Sequence, residues 1–205
     1  MGFYADKLFP WILDISEPKE MAQYRRSLLK DVSGKVLEIG FGTGANLPYY
    51  PQSIRRITVV DPSSAMRTKA AHQIQKSGIA VEWHQSYGES LPFEDDEFDT
   101  VVTTDVLCGV RNVELVLTQV FRVLKTNGRY FFLEHGISAE PKIRRWQTRL
   151  NGISKAVACG CTLTRDIEQQ IRTSPLAVHE LKLVPRFSGP NALYSHIQGS
   201  AYKPA

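Results

Sequence analysis

The sequence predicts an α/β protein: a single-domain, Rossmann-like, doubly wound and mostly parallel sheet, closed by a C-terminal antiparallel strand pair. Three observations predict it. The length of 205 residues suits one domain with a single core. From Lys35 onward, short apolar runs alternate with segments of helical period. The first apolar run ends in a glycine-rich turn. Parallel strands need crossover connections, so this alternation places helices on both faces of the sheet. Hydrophobic residues make up 42% and charged residues 22%, which excludes collagen-like, disordered and membrane-spanning classes.

The elements follow in chain order. Ser16 caps a helix opened by Pro18, with Met21, Tyr24, Leu28 and Leu29 on one face, so that residues 1–33 form a helical lid or lead-in. Lys35 to Gly40 reads as a buried strand, and Arg56 to Asp61 and Ala80 to His84 as the next two. A helix over Ser63 to Ser77 stops before Gly78, a suitable C-terminal glycine. Phe98 to Thr104 is the fourth strand. Asn112 then caps a helix that turns Val113, Val116, Leu117, Val120, Phe121 and Leu124 inward and is stopped by Gly128. Arg129 to Glu134 supplies the fifth strand, and Val178 to Val184 with Leu193 to Gln198 the final pair. On this reading residues 34–138 are a cofactor-binding core, 139–175 a basic amphipathic insertion and 176–205 the closing strands.

Charge and cysteine usage narrow the partners. Lys and Arg number 25 against 21 Asp and Glu, a net charge of +4 that by itself selects neither polynucleotide nor lipid; nucleic acid is not an expected partner, nor is an obligate protein partner. The three cysteines, Cys108, Cys159 and Cys161, lack paired spacings and suit reduced thiols in a cytoplasmic compartment. Met1 to Lys7 has no basic n-region and Pro10 interrupts the following apolar stretch, so export by a signal peptide is not expected. Pro141 to Arg165 holds Lys142, Arg144, Arg145, Arg149, Lys155 and Arg165 with no acidic residue, beside Trp146, Leu150, Ile153 and Val157. Three readings stand for this segment: a solvated face, a substrate lid, or peripheral contact with an anionic membrane.

Chemistry concentrates in the turn Gly40-Phe41-Gly42-Thr43-Gly44-Ala45-Asn46, which follows the first strand and is expected to open a helix. Glycines serve where backbone turns tightly and approaches a ligand. The spacing is G-x-G-x-G rather than the G-x-G-x-x-G of dinucleotide binders, and no Gly-Lys-Ser/Thr follows as a P-loop requires. Glu38 places an acid in an apolar strand, where it needs a cation or ordered amides; a ligand ammonium would suit it. Asp61 ends the second strand, 21 residues after Gly40, placed to accept both hydroxyls of a ribose or to cap the helix from Ser63. Together these residues describe a site for a nucleoside with a cationic, amino-acid-like tail.

Val36 to Gly44, Asp61-Pro62-Ser63-Ser64-Ala65-Met66 and Gly88-Glu89-Ser90-Leu91-Pro92-Phe93, in this order, resemble the class I S-adenosylmethionine-dependent methyltransferases. The resemblance implies that the glycine loop meets the methionine portion, that Asp61 binds ribose and that Met66 packs on adenine. Tyr87 stands where many relatives carry the acid that reads the adenine amine, which leaves that task to the backbone of Gly88 and Glu89 or to another group. The implied cofactor-binding set is Glu38, Gly40, Gly42, Thr43, Gly44, Asn46, Asp61, Pro62, Met66, Gly88, Glu89 and Thr104. A closer resemblance is to the methyltransferase-like protein 7 group, similar in turn to ubiquinone-type methyltransferases and acting on alkyl thiols. It is carried by Val106 to Asn112, Glu134-His135, Gly160 to Arg165 and His196-Ile197, and runs from about residue 35 to the end. The hydrophobic anchor that precedes the core in that group has no counterpart here, and no membrane span is expected.

Methyl transfer from a sulfonium is an in-line displacement in which the protein mainly aligns the reactants. Ligands of open α/β sheets sit beyond the carboxyl ends of the strands, which singles out Asp105 after strand four and His135 after strand five as bases or positioning groups, with loop bracing as the structural alternative. Thr104-Asp105-Val106-Leu107 lacks the Asn/Asp-Pro-Pro-Tyr/Phe turn of enzymes that methylate base amines. The acceptor that the resemblance implies is an alkyl thiol. A phospholipid, a quinone or another small molecule is the alternative, or else a nucleoside-binding or membrane-associated module without turnover. Tyr4, Phe9 and Trp11 read as an aromatic lid over the sulfonium or as core packing. Cys159-Gly160-Cys161 lacks the further Cys or His pair of a zinc site, so no metal is expected, and Cys108 is read as packing.

Overall fold

Apolar, β-branched runs build a seven-stranded sheet in the computed structural model, which describes residues 20–158, 160–185 and 192–205. In chain order the elements are α1 (Met21–Leu29), β1 (Val36–Ile39), β2 (Arg56–Val60), α2 (Ser64–Ser77), β3 (Ala80–His84), β4 (Phe98–Thr104) and α3 (Val113–Val123). They continue with β5 (Leu124–Gly136), α4 (Pro141–Val157), α5 (Ile167–Thr173), β6 (Ala177–Leu183) and β7 (Ser195–Tyr202). The strand order is β3-β2-β1-β4-β5-β7-β6. The first five strands pair in parallel, while β7 runs antiparallel between β5 and β6. Ser16, Pro18, Tyr4, Phe9, Trp11 and Cys159, and the readings made on them, lie outside the described residues.

Neighbouring residues of the central strands point to opposite faces, and this splits the core in two. Val101, Tyr130 and Phe132 pack with Leu117 and Val120 of α3 and Ile171 of α5. Val102, Phe131 and Leu133 pack instead with Met21, Leu28 and Leu29 of α1 and Ala70 of α2. Each fully buried Leu or Phe contributes roughly 1.5–3 kcal/mol, so both faces of the sheet are anchored. The caps at Asn112 and Gly78 are where the sequence predicts them, while Ser63, expected as the first residue of its helix, stands as the cap instead. Ser63 accepts from the Met66 amide, Asn112 accepts from the Leu115 amide, and Gly78 takes the left-handed conformation that ends α2.

Several boundaries differ from expectation, among them the last strand, which runs Ser195–Tyr202 rather than Leu193 to Gln198. The helix after Asn112 ends at Val123, five residues before Gly128, because Leu124 turns extended and pairs with Phe98 deep in the core. The following residues bulge out of β5, with Asn127 left-handed at φ 64° and its amide bonded to the Lys203 carbonyl at 2.9 Å. The glycine turn does not open an α-helix: it leads into a single 3-10 turn, Leu47–Tyr49, so no helix dipole points at the site from there.

Candidate functional site

The carboxyl ends of β1, β2, β4 and β5 frame the site. On the β1/β2 side, Gly40, Gly42 and Gly44 all have positive φ, at 72°, 56° and 80°. A side chain at Gly40 would strike Val106 Cγ2 at 2.3 Å, whereas one at Gly42 would meet nothing within 4 Å. The first glycine therefore lets the Val106 side chain pack directly on the turn's backbone, and the second faces open space where a ligand can approach. Asp61 ties the turn down: its Oδ2 accepts from the Gly42 amide at 2.9 Å and its Oδ1 from the Ser63 amide at 2.8 Å. Ser63, not Asp61, caps α2. Burial raises the Asp61 carboxyl above its ordinary value against the pull of those two amides. Each oxygen keeps a second lone pair, the capacity a vicinal diol needs.

Glu38 is buried under this turn with both oxygens engaged. Oε1 accepts from Asn46 Nδ2 at 2.9 Å and Oε2 from the Tyr50 hydroxyl at 2.7 Å. Burial pushes its carboxyl up to about 7 despite the two hydrogen bonds and the charge of Arg25. The cation and amide that a buried acid requires are thus supplied from within, by Arg25 and Asn46. Arg25 Nη1 donates to Asn46 Oδ1 at 2.7 Å and to Thr104 Oγ1 at 2.9 Å, and Thr104 Oγ1 also accepts from Asn46 Nδ2 at 3.0 Å. A guanidinium from the inner face of α1, at a position the apolar pattern leaves unmarked, forms the floor between the two halves of the site.

The remaining predicted cofactor contacts lie around this floor. Thr43 is half-buried in the glycine turn, and Pro62 is half-buried with its carbonyl accepting from Gln85 at 3.2 Å. Met66 is buried in the first turn of α2. Gly88 is buried against Ile39 and Val116. The Glu89 side chain bonds the Arg111 and Asn112 amides at 2.7 and 3.3 Å, bracing the entry to α3. Tyr87 is exposed, with the Arg111 guanidinium 5.2 Å from its ring centre.

On the β4/β5 side, Asp105 turns left-handed at φ 55° directly after β4. Its carboxylate lies 3.2 Å from His196 Nε2 and 3.9 Å from Arg25 Nη2. Burial alone would raise this carboxyl, but His196, His135 and Arg25 together reverse that and hold it at about 2. The rings of His135 and His196 stand 5.6 Å apart, paired across β5 and β7, and Tyr194 meets His135 edge-on at 4.7 Å. Glu134 braces the same corner, its Oε2 accepting from the Val106 and Leu107 amides at 3.0 and 2.9 Å, and burial lifts its carboxyl to about 8. Asp105 and His135 are thereby brought together, with His196 and Arg25 as partners that spacing alone did not reveal.

Two cysteines complete this side. Cys161 Sγ lies 3.3 Å from His135 Nε2, and one donor atom each from Cys108, His135 and Cys161 falls within 4.8 Å of the others. All three residues are buried and both thiols are free. The Cys108 side chain does pack among Leu163, Leu150 and Tyr194, as expected of a small apolar group. Sequence spacing pairs Cys161 only with Cys159, whereas in the structure it stands beside His135 of β5, 26 residues away, and Cys108 of the turn after β4. Cys161 is pulled below the ordinary thiol range, first by its contact with Cys108 and then by His135, while Cys108 is pushed up.

Comparison with known proteins agrees with this fold. The family model described as "Methyltransferase domain" matches residues 37–132. The chain is 33% identical to the thiol S-methyltransferase TMT1B of Rattus norvegicus over 95% of its length and 86% of that protein. It is 30% identical to the thiol S-methyltransferase TMT1A of Homo sapiens over 96% of its length and 86% of that protein. Among solved structures, a geranyl diphosphate methyltransferase in complex with S-adenosylmethionine superposes with a TM-score of 0.68 at 15% identity, covering 90% of this chain and 78% of that one.

Proposed function

Because the chain belongs to the class I S-adenosylmethionine-dependent methyltransferases, we propose that it transfers the cofactor's methyl group to the sulfur of an alkyl thiol. The observation that carries the acceptor reading is the pairing of a nearly full-length likeness to two thiol S-methyltransferases with a β4/β5 side that gathers Asp105, His196 and His135 rather than an amine-binding turn.

The residues of the β1/β2 side fit the cofactor. Gly42 presents a surface without a side chain and open space before it, and Asp61 keeps a free lone pair on each oxygen for a ribose diol. Glu38, Asn46 and Thr104, fixed by Arg25, lie under the turn as a polar floor for an amino-acid tail. Thr43 and Gly44 shape the turn, Pro62, Met66 and Gly88 line the adenine side, and the backbone of Glu89 remains for the adenine edge, since its carboxylate is already engaged. Bound S-adenosylmethionine supplies an electrophilic methyl group and a neutral thioether as leaving group. The protein's own part is alignment. The Asp105 carboxylate, held by Arg25 and His196, accepts a hydrogen bond from the entering acceptor S–H and so turns the sulfur toward the methyl; the proton passes to solvent as the new S–C bond forms and the sulfonium S–C bond breaks. His135 closes the wall behind it. A free thiol has a pKa near about 8.5, so alignment and modest thiolate stabilisation suffice.

Around this core, the free thiols of Cys108 and Cys161 favour a reducing, cytoplasmic setting. Among the described residues, no helix is long and apolar enough to cross a membrane. The exposed face of α4 suits peripheral contact with an anionic lipid surface: Trp146, Ile153 and Val157 are 52%, 60% and 52% exposed, with Lys142, Arg145 and Arg149 exposed beside them. Sedimentation with anionic and with neutral vesicles tests that contact; equal recovery on both would refute it.

Incubation with S-adenosylmethionine and a short alkyl thiol, read by product mass, is expected to yield the methyl thioether, and Asp61→Ala should weaken cofactor binding by roughly 10-fold or more through loss of charge-assisted hydrogen bonds. A methylated quinone or phospholipid beside an unchanged thiol would replace the acceptor; equal cofactor affinity in Asp61→Ala would remove the ribose assignment.

A further inference from the structure

We propose that Cys108, His135 and Cys161 form a binding site for one zinc-class divalent ion, with three protein ligands and a fourth position open toward the acceptor side of the cleft. Three elements converge to build it. Cys108 lies in the turn after β4, His135 near the end of β5, and Cys161 in the connection from α4 to α5. Their donor atoms all fall within 4.8 Å of one another, and Cys161 Sγ and His135 Nε2 are 3.3 Å apart. In a tetrahedral zinc site, with Zn–S of about 2.3 Å and Zn–N of about 2.0–2.1 Å, sulfur and nitrogen ligands stand roughly 3.5 Å apart. The spacing therefore accepts the ion with small side-chain adjustments.

The backbone holds the ligands in place. The Thr162 amide donates to the Cys108 carbonyl at 2.9 Å, joining the two cysteine loops. Ser154 donates to the Cys161 carbonyl at 3.1 Å, and β5–β7 pairing fixes His135 opposite His196. Two thiolates and one neutral imidazole are a soft donor set, which favours zinc over magnesium or calcium. Binding displaces the protons of both thiols, and the divalent cation balances the two thiolate charges so formed in this buried corner.

Three protein ligands leave one position of a tetrahedron for an exogenous group. Resting on the thiol reading above, that group is the acceptor sulfur: R–SH loses its proton to solvent as R–S⁻ takes the open position, with no change of oxidation state. The ion thereby raises the share of thiolate facing the methyl donor at neutral pH.

The test uses the full chain, purified metal-free and titrated with Co²⁺ as a spectroscopic stand-in. Expected are about one equivalent bound, a thiolate-to-cobalt charge-transfer band, and visible bands of tetrahedral intensity. Both signals should fall at least 10-fold in Cys108→Ser and in Cys161→Ser. S-adenosylhomocysteine affinity within about twofold of wild type shows that these variants are folded. An alkyl thiol should then shift the wild-type band. Absence of stoichiometric cobalt, or a Cys108–Cys161 disulfide found in its place, overturns the site. Loss of the band in Cys159→Ser but not in Cys108→Ser overturns the ligand set in favour of a Cys-X-Cys chelate. A band that does not respond to thiol overturns the open-position assignment. The product-mass assay separately reports whether the thiol is methylated, so failure of the acceptor reading is distinguishable from failure of the site.

Discussion

The two halves of the cleft are built on different principles. The β1/β2 half is assembled from residues close in sequence: Glu38, the glycine turn, Asn46 and Tyr50 lie within one stretch, and Asp61 follows at the tip of the next strand. The β4/β5 half gathers residues from four separate places: Asp105 and Cys108 from the turn after β4, His135 from β5, Cys161 from the connection after α4, and His196 from β7. A local half is shaped by backbone conformation and tolerates few substitutions. A dispersed half is shaped by packing between elements and can change its chemistry one loop at a time. The difference matches a division of labour in which one side binds a fixed cofactor and the other meets a variable acceptor.

The strongest way to break the comparison is to disturb a contact that both halves share. Gly40→Ala puts a methyl group 2.3 Å from Val106 Cγ2 at a residue with φ 72°. Left-handed strain of about 1–2 kcal/mol and overpacking of about 1–3 kcal/mol should together cost roughly 3 kcal/mol. Denaturant unfolding should show that loss, and calorimetric titration a cofactor affinity lower by about 10²-fold. A loss of turnover with normal cofactor binding would mean that the turn after β4 moves independently of the glycine loop.

Asp105→Asn probes the dispersed half alone. It keeps the size of the side chain but removes the charge facing Arg25 and His196. Steady-state kinetics should show kcat/KM reduced by about 10²-fold, a typical contribution for a positioned polar group, while cofactor affinity stays within about twofold. A large change in cofactor affinity would erase the distinction between the halves.

Glu38→Gln sharpens the local half through pH. The folded Glu38 carboxyl is raised from 4.5 to about 7, so the native state binds more protons than the unfolded state between those values. The sign follows: stability from this group falls as pH rises through that window, and the neutral amide does not share the fall. Relative to wild type, Glu38→Gln should gain on the order of 2 kcal/mol between pH 5 and pH 8, measured by urea unfolding at both. A constant difference would place the titration elsewhere.

The smallest effect belongs outside both halves. Trp146→Ser removes an exposed ring from α4 and should change stability by less than about 0.5 kcal/mol while lowering recovery on anionic vesicles. A large loss of stability would show that this face is covered within the molecule.

The contrast also explains what could be read from the sequence. The left-handed glycine turn, Asp61 at the tip of β2, the Asn112 cap, the glycine that ends α2 and the alternation of strands and helices are local signals, and the structure has each at the expected place in the chain. The helix expected after Asn46 fails because the chain there closes into a 3-10 turn, with Asn46 itself drawn under the strand by Glu38 and Arg25. The helix after Asn112 ends early because pairing of Leu124 with Phe98 outweighs its helical period. Arg25 escaped notice because a buried cation interrupts an otherwise ordinary amphipathic face, and only the long-range partners Asn46, Thr104 and Asp105 explain it. Cys108 and Cys161 share no sequence spacing; the hydrogen bond between their loops brings them together.

Arg25 also decides where the catalytic unit can be cut. A fragment excised at residue 34, the boundary suggested by the first strand, would keep every glycine and every acid of the cofactor side yet lose the guanidinium on which Asn46, Thr104 and Asp105 rest. Such a truncation would strand polar groups that α1 normally satisfies, and the smallest version of this enzyme worth engineering retains that helix.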